Sequence, residues 1–144
     1  MINIETFESI LSNSPIKKKS LLSKISNSDT LKSFINNLYN KLDIPKEGFI
    51  CSLLYLYNIV KKDNNDLKVI LNDTKNFIFT GIILYIKFSY DEKFDIKYIC
   101  NYCNISYNKF LQLETFILNK LKWNIYYTDK EINEFKMYLE HCMD

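Results

Sequence analysis

From Leu31 to Leu42 the apolar residues fall at steps of three and four: Leu31, Phe34, Ile35, Leu38, Tyr39 and Leu42. That spacing lines one face of a helix turning about 100° per residue, and Ser28 or Asp29 stands where a cap is needed. Upstream, 4–11 reads as a short helix stopped near Ser14-Pro15, with a basic helix at 16–26. Ile44-Pro45-Lys46-Glu47 ends the first clear amphipath and starts the next, because proline suits a first helical turn. The next helix is expected over 46–61, carrying Phe49, Ile50, Leu53, Leu54, Leu56, Tyr57 and Val60. Residues 61–73, rich in Asn and Asp, are expected to form the longest loop.

Asn72 or Asp73 then caps a helix over 74–89 that is apolar on nearly every side, which predicts a central helix with neighbours all round. Gly81 inside it costs ~1 kcal/mol of helix propensity relative to alanine, a cost that suits a close crossing by another backbone. A shorter helix is expected at 94–103, and Ser106 caps another over 107–121 with Phe110, Leu113, Phe116, Ile117, Leu118 and Leu121 apolar. Residues 122–128 read as an extended connector. Thr128 with Glu131 three residues on forms a capping box for a last helix over 129–142. No segment alternates at period two, so no sheet is expected and the fold class is all-α.

One residue breaks this pattern. Lys87 ends the apolar run of the 74–89 helix, and burying an ammonium is costly unless it is paired. Glu114, inside the 107–121 helix, is the matching acid in an apolar setting.

Composition narrows the functions such a chain can have. Its 144 residues suffice for one domain with a real core. All 19 basic residues are lysine, there is neither arginine nor alanine, and the formal net charge is +2. Without bidentate guanidinium groups, and near neutrality, nucleic acid is not an expected partner. The longest apolar runs are too short to span a bilayer, so no membrane is expected either. The N-terminus lacks the pattern of a signal peptide, and four cysteines without one point to a reducing, intracellular compartment, cytoplasmic, nuclear or both. Lys17-Lys18-Lys19 reads as a solvated helix face, with nuclear import as the alternative.

Catalytic patterns are missing. Two glycines cannot build a phosphate loop, and the single histidine, His141, stands near the end of the chain, so neither a catalytic residue nor a small-molecule substrate is expected. Asp91 and Glu92 suit the start of a following helix. Cys100-x-x-Cys103 with His141 and Cys142 offers four metal-ligand residues, which keeps a small zinc-stabilised domain as a third reading. The first pair falls within a helix and the second pair is adjacent in sequence, so no metal and no cofactor is expected. Cys51 reads as core.

Three stretches taken in order resemble a known family: "LLYLYNI", then "LNDTKNFIFTGIILYIKFSYDEKF", then "NISYNKFLQLETFILNKLKWNI". Over about residues 29–127 the chain is similar to the cyclin box, specifically to the single-box P-type cyclins first known from yeast phosphate regulation. The resemblance implies a five-helix box around a central helix at 29–127, an N-terminal helical extension at 1–28 and a C-terminal helix at 128–144. It also implies a non-catalytic regulatory subunit that docks on the C-helix of a cyclin-dependent kinase. In this family the lysine at the Lys87 position donates to backbone carbonyls leading into that helix, and the glutamate at the Glu114 position accepts from backbone amides there. An apolar surface matching Phe88, Leu118, Trp123 and Ile125 packs beside them.

The chain departs from the family at several places. Tyr57-Asn58 stands for an Asp-Arg pair and Asn76 for an arginine, a joint loss of charge that suggests coordinated replacement of an internal polar network. Asn104 stands for the usual glycine of the turn, as the residue that tolerates the left-handed conformation next best, and Lys109 stands for a glutamate. Two other readings of the residues stay open: Lys87 and Glu114 as a plain intramolecular ion pair, and Trp123 and Tyr126 as core anchors. The second functional reading is a cyclin-fold adaptor for a non-kinase protein or a transcription complex.

Overall fold

The computed structural model describes residues 33, 34, 36–38, 40, 46–89 and 95–141. Helix accounts for 81% of them and no strand occurs among them, as the apolar spacing requires. After the helical residues between 33 and 40 come α1 (Lys46–Lys62), α2 (Asp66–Leu71), α3 (Thr74–Ser89), α4 (Ile96–Tyr102), α5 (Tyr107–Lys120) and α6 (Asp129–His141). The expected helices at 4–11 and 16–26, the cap at Ser28 or Asp29, and Asp91, Glu92 and Cys142 lie outside the described residues.

The α3 helix matches its expected span, and from Phe77 to Leu84 every residue is buried. It shares the centre with α1, which is buried without a break from Gly48 to Leu56 and packs against α3, α6, α2 and α5. The two central helices cross at Gly81. There Ser52 of α1 is fully buried and its hydroxyl donates to the Ile78 carbonyl at 2.8 Å. A Cβ at position 81 would lie 2.8 Å from the Ser52 Cβ and 3.0 Å from its Cα, closer than real side chains approach. The missing side chain is what lets the helices meet. Phe34 and Leu38 carry the preceding amphipath inward: Leu38 is in the core, and the Phe34 ring meets Phe79 at 6.2 Å.

The expected 61–73 loop contains a helix instead. Its flanking Asn and Asp residues favour turns, but Leu67, Ile70 and Leu71 sit at the i, i+3, i+4 spacing and bury one face of α2. Asp66 at its start is also buried, with Oδ2 3.1 Å from the Lys120 ammonium at the end of α5. The contact is ionic rather than a directed hydrogen bond.

Capping follows the sequence. Ser106 accepts from the Lys109 N–H at the start of α5, and Asp95 does the same for Tyr98 in α4. At α6 both halves of the capping box form: the Glu131 N–H donates to Thr128 Oγ1 at 3.1 Å, and Glu131 Oε1 accepts from the Thr128 N–H at 3.2 Å. Asn104 takes the left-handed conformation, φ 58°. It closes α4 with N–H bonds from Asn104 to Asn101 O and from Ile105 to Cys100 O, the paired pattern of a Schellman motif.

Candidate functional site

Lys87 lies in the last turn of α3, where a cation is favoured by the exposed helix carbonyls. The helix emerges from the core at this point, so the ammonium is not buried: the Lys87 side chain is 43% exposed, against 13% for Glu114. Nζ stands 3.3 Å from Glu114 Oε2, and also over the Phe88 ring, 5.7 Å from its centroid. In the free chain the two charged residues therefore satisfy each other. An open lysine and a sheltered glutamate leave an ion pair that solvent, or another chain, reaches mainly from the lysine side.

The aromatic residues next to this pair are open to solvent. Phe88 is half-buried and meets Tyr126 edge to face at 6.3 Å. Trp123 is 60% and Tyr126 67% exposed, which rules out a role for either as a core anchor. Large exposed aromatic rings beside a charged pair are the composition of a binding patch rather than of ordinary surface. Glu114, Lys87, Phe88 and Tyr126 form a continuous line by contact, and Trp123 is exposed three residues before Tyr126 on the same connector.

Two residues expected on this surface lie beneath it. Leu118 is 5% and Ile125 4% exposed, both in the core. The amphipathic period of α5 turns Leu118 inward with Leu113 and Ile117, and Ile125 is held inward by its neighbours. They shape the floor of the patch and do not form its face.

The turn that presents Trp123 is unusual. The Trp123 N–H donates to Leu118 O at 2.9 Å and the Lys122 N–H to Asn119 O at 3.2 Å, a second Schellman ending. Here Lys122 (φ 53°) and Trp123 (φ 63°) are both left-handed, although neither is glycine. Each such residue costs about 1–2 kcal/mol, so surrounding contacts must hold the pair in place. The two Schellman bonds hold the pair from α5, and α1 holds the connector just beyond it. The Tyr55 hydroxyl donates to the Ile125 carbonyl at 3.0 Å, and Asn58 Nδ2 donates to the Tyr127 hydroxyl at 2.8 Å. The Tyr55 and Tyr127 rings pack at 5.7 Å. Burial pushes the Tyr55 hydroxyl far above its ordinary range, with smaller contributions from Cys51 and the nearby tyrosines, so it remains a donor at any physiological pH. Reasoning from sequence missed this role for Tyr55 and Asn58; their i, i+3 spacing on one helix face was the available signal.

The substituted polar positions are connected too. Asp73 accepts from Asn76 Nδ2 at 2.8 Å and pairs with the Lys109 ammonium at 3.2 Å. Asn76 and Lys109 thus meet on one carboxylate between α3 and α5.

No cluster suited to a metal ion occurs among the described residues. Burial pushes the Cys103 thiol up to about 11, with a smaller contribution from Cys100, and burial raises Cys100 as well. A cavity of about 380 Å³ lined by Phe34, Asn37, Leu38, Tyr102, Cys103 and Asn104 involves none of the candidate residues. No helix among the described residues is long and apolar enough to cross a membrane. Comparisons with protein-family models, curated proteins and solved structures find no match to this chain.

Proposed function

We propose that this chain is the regulatory subunit of a cyclin-dependent protein kinase and performs no chemistry itself. The observation that carries the reading is the meeting of Lys87 and Glu114, 27 residues apart in sequence, beside an exposed aromatic patch. The resemblance to P-type cyclins selects the same two residues. In this reading the pair opens towards the backbone that leads into the kinase C-helix, lysine to carbonyls and glutamate to amides. Phe88, Trp123 and Tyr126 pack on the helix above the buried Leu118 and Ile125. Docking draws the helix inward, completes the kinase's own Lys–Glu pair and orders its activation loop. The subunit acts by binding one kinase state more tightly than the other. It works inside the cell, in the cytoplasm, the nucleus or both, without nucleic acid, metal or cofactor.

One observation favours the second reading, a cyclin-fold adaptor for a non-kinase protein: Lys87 and Glu114 satisfy each other without any partner. Capture of the full chain from native lysate followed by mass spectrometry separates the two. A cyclin-dependent kinase in stoichiometric amount is the expected result. A stoichiometric partner of another class, with no such kinase, replaces the first reading by the second.

A further inference from the structure

We infer that Tyr55 and Asn58 are positioning residues that hold the 122–128 connector so that Trp123 and Tyr126 face outward together. The inference rests on the docking reading for its purpose, but its geometry stands on its own.

Tyr55 and Asn58 are three residues apart on α1, hence on one face of that helix. Their targets, Ile125 O and the Tyr127 hydroxyl, belong to residues two apart on a connector whose exposure alternates residue by residue. Successive side chains of an extended segment point to opposite sides. Anchoring residues 125 and 127 against α1 therefore turns the intervening Tyr126 away from it. The exposures follow this alternation, with Ile125 buried, Tyr126 exposed and Tyr127 half-buried. A slip of one residue would bring Tyr126 inward and Ile125 out.

The connector has three attachments. The Schellman bonds tie its start to α5, the Thr128–Glu131 box ties its end to α6, and between them stand the two α1 side chains. The left-handed pair Lys122–Trp123 carries the first attachment, its two N–H groups making the Schellman bonds, and the α1 bonds follow at residues 125 and 127. Helix endings and caps are local and tolerate several courses for the residues between them. The Tyr55 and Asn58 bonds are long-range, across 70 and 69 positions of sequence, and they select one course. Without them the strained turn keeps only its Schellman bonds to α5, and the connector beyond it is free to take another course.

Trp123 is the single tryptophan of the chain, so its fluorescence reports on this turn with no partner present. Tyr55→Phe keeps the ring and removes the donor; Asn58→Leu removes the other. Ile78→Val, in the core of α3, serves as a variant that lowers stability without touching the connector. At a temperature where circular dichroism shows all four proteins folded, Tyr55→Phe and Asn58→Leu are expected to lower Trp123 anisotropy and increase its quenching by acrylamide. Ile78→Val is expected to match the parent. Unchanged anisotropy and quenching in both connector variants would overturn the inference and leave the two bonds as ordinary contributors to stability. The outcome does not depend on the kinase. Where the parent binds one, both variants are expected to weaken binding about tenfold, equivalent to about 1.4 kcal/mol. Where the parent binds none, the docking reading fails and the fluorescence still decides the positioning role.

Discussion

The Lys87 ammonium and the Glu114 carboxylate lie 3.3 Å apart, joining the end of α3 to the middle of α5. With the lysine side chain 43% exposed, solvent screens their attraction. Their mutual bond adds little to the stability of the free chain. Together with the Lys87 ammonium over the Phe88 ring, it places the pair beside the exposed Tyr126.

Lys87→Ala and Glu114→Ala are each expected to change the stability of the free chain by only ~0–1 kcal/mol. Each is expected to weaken kinase binding by ~2–5 kcal/mol, because partner backbone groups are then buried unpaired. The double variant Lys87→Glu/Glu114→Lys restores an ion pair with its charges exchanged. Thermal melts on it should resemble the parent, while titration with the kinase should show binding as poor as in the single variants. Parent-like affinity in the exchanged variant would mean that the pair serves only to join the two helices.

Gly81→Ala should destabilise the fold despite a gain of ~1 kcal/mol in helix propensity. The new methyl meets the Cβ and Cα of Ser52, so the central helices must part or Ser52 must give up its bond to Ile78. Overpacking of this kind costs ~1–3 kcal/mol. A lower urea midpoint is the expected reading, with recovery in Ser52→Gly/Gly81→Ala. A midpoint at or above the parent value in the single variant would show that the crossing has slack.

The cysteines set an alkaline limit. Burial, assisted by Glu47, pushes Cys51 from its ordinary 9.0 up to about 12, and Cys103 rises from 9.0 to about 11. A thiol whose folded-state pKa is raised loses nothing while both states are protonated. Above the unfolded value only the unfolded chain ionises, so the stabilisation is full below pH 9 and is lost as pH rises towards 11 and 12. Melting temperature should therefore be insensitive to these thiols near neutrality and fall above about pH 9. The same protonated thiols should react slowly with alkylating reagents at neutral pH, and a chelator should leave the helical dichroism unchanged. Loss of helicity on chelation would revive a metal-stabilised fold.

Local pattern alone determined much of this protein. The bounds of α3, the caps at Ser106 and Thr128 and the close crossing at Gly81 were all legible. Each rests on interactions within a few residues, or on the one property of glycine that a crossing needs. The pairing of Lys87 with Glu114 was legible only as one of two alternatives, since sequence spacing says nothing about how far apart two helices lie. α2 was obscured because its Asn- and Asp-rich flanks carry stronger turn signals than six residues carry helical ones. Tertiary structure alone decided the rest. Leu118 and Ile125 are apolar, as are Trp123 and Tyr126, and composition cannot tell a buried apolar residue from an exposed one. That division follows from the path of the connector. Its path is set by hydrogen bonds from Tyr55 and Asn58 to residues 70 and 69 positions away, contacts that exist only once α1 and the end of α5 have packed together.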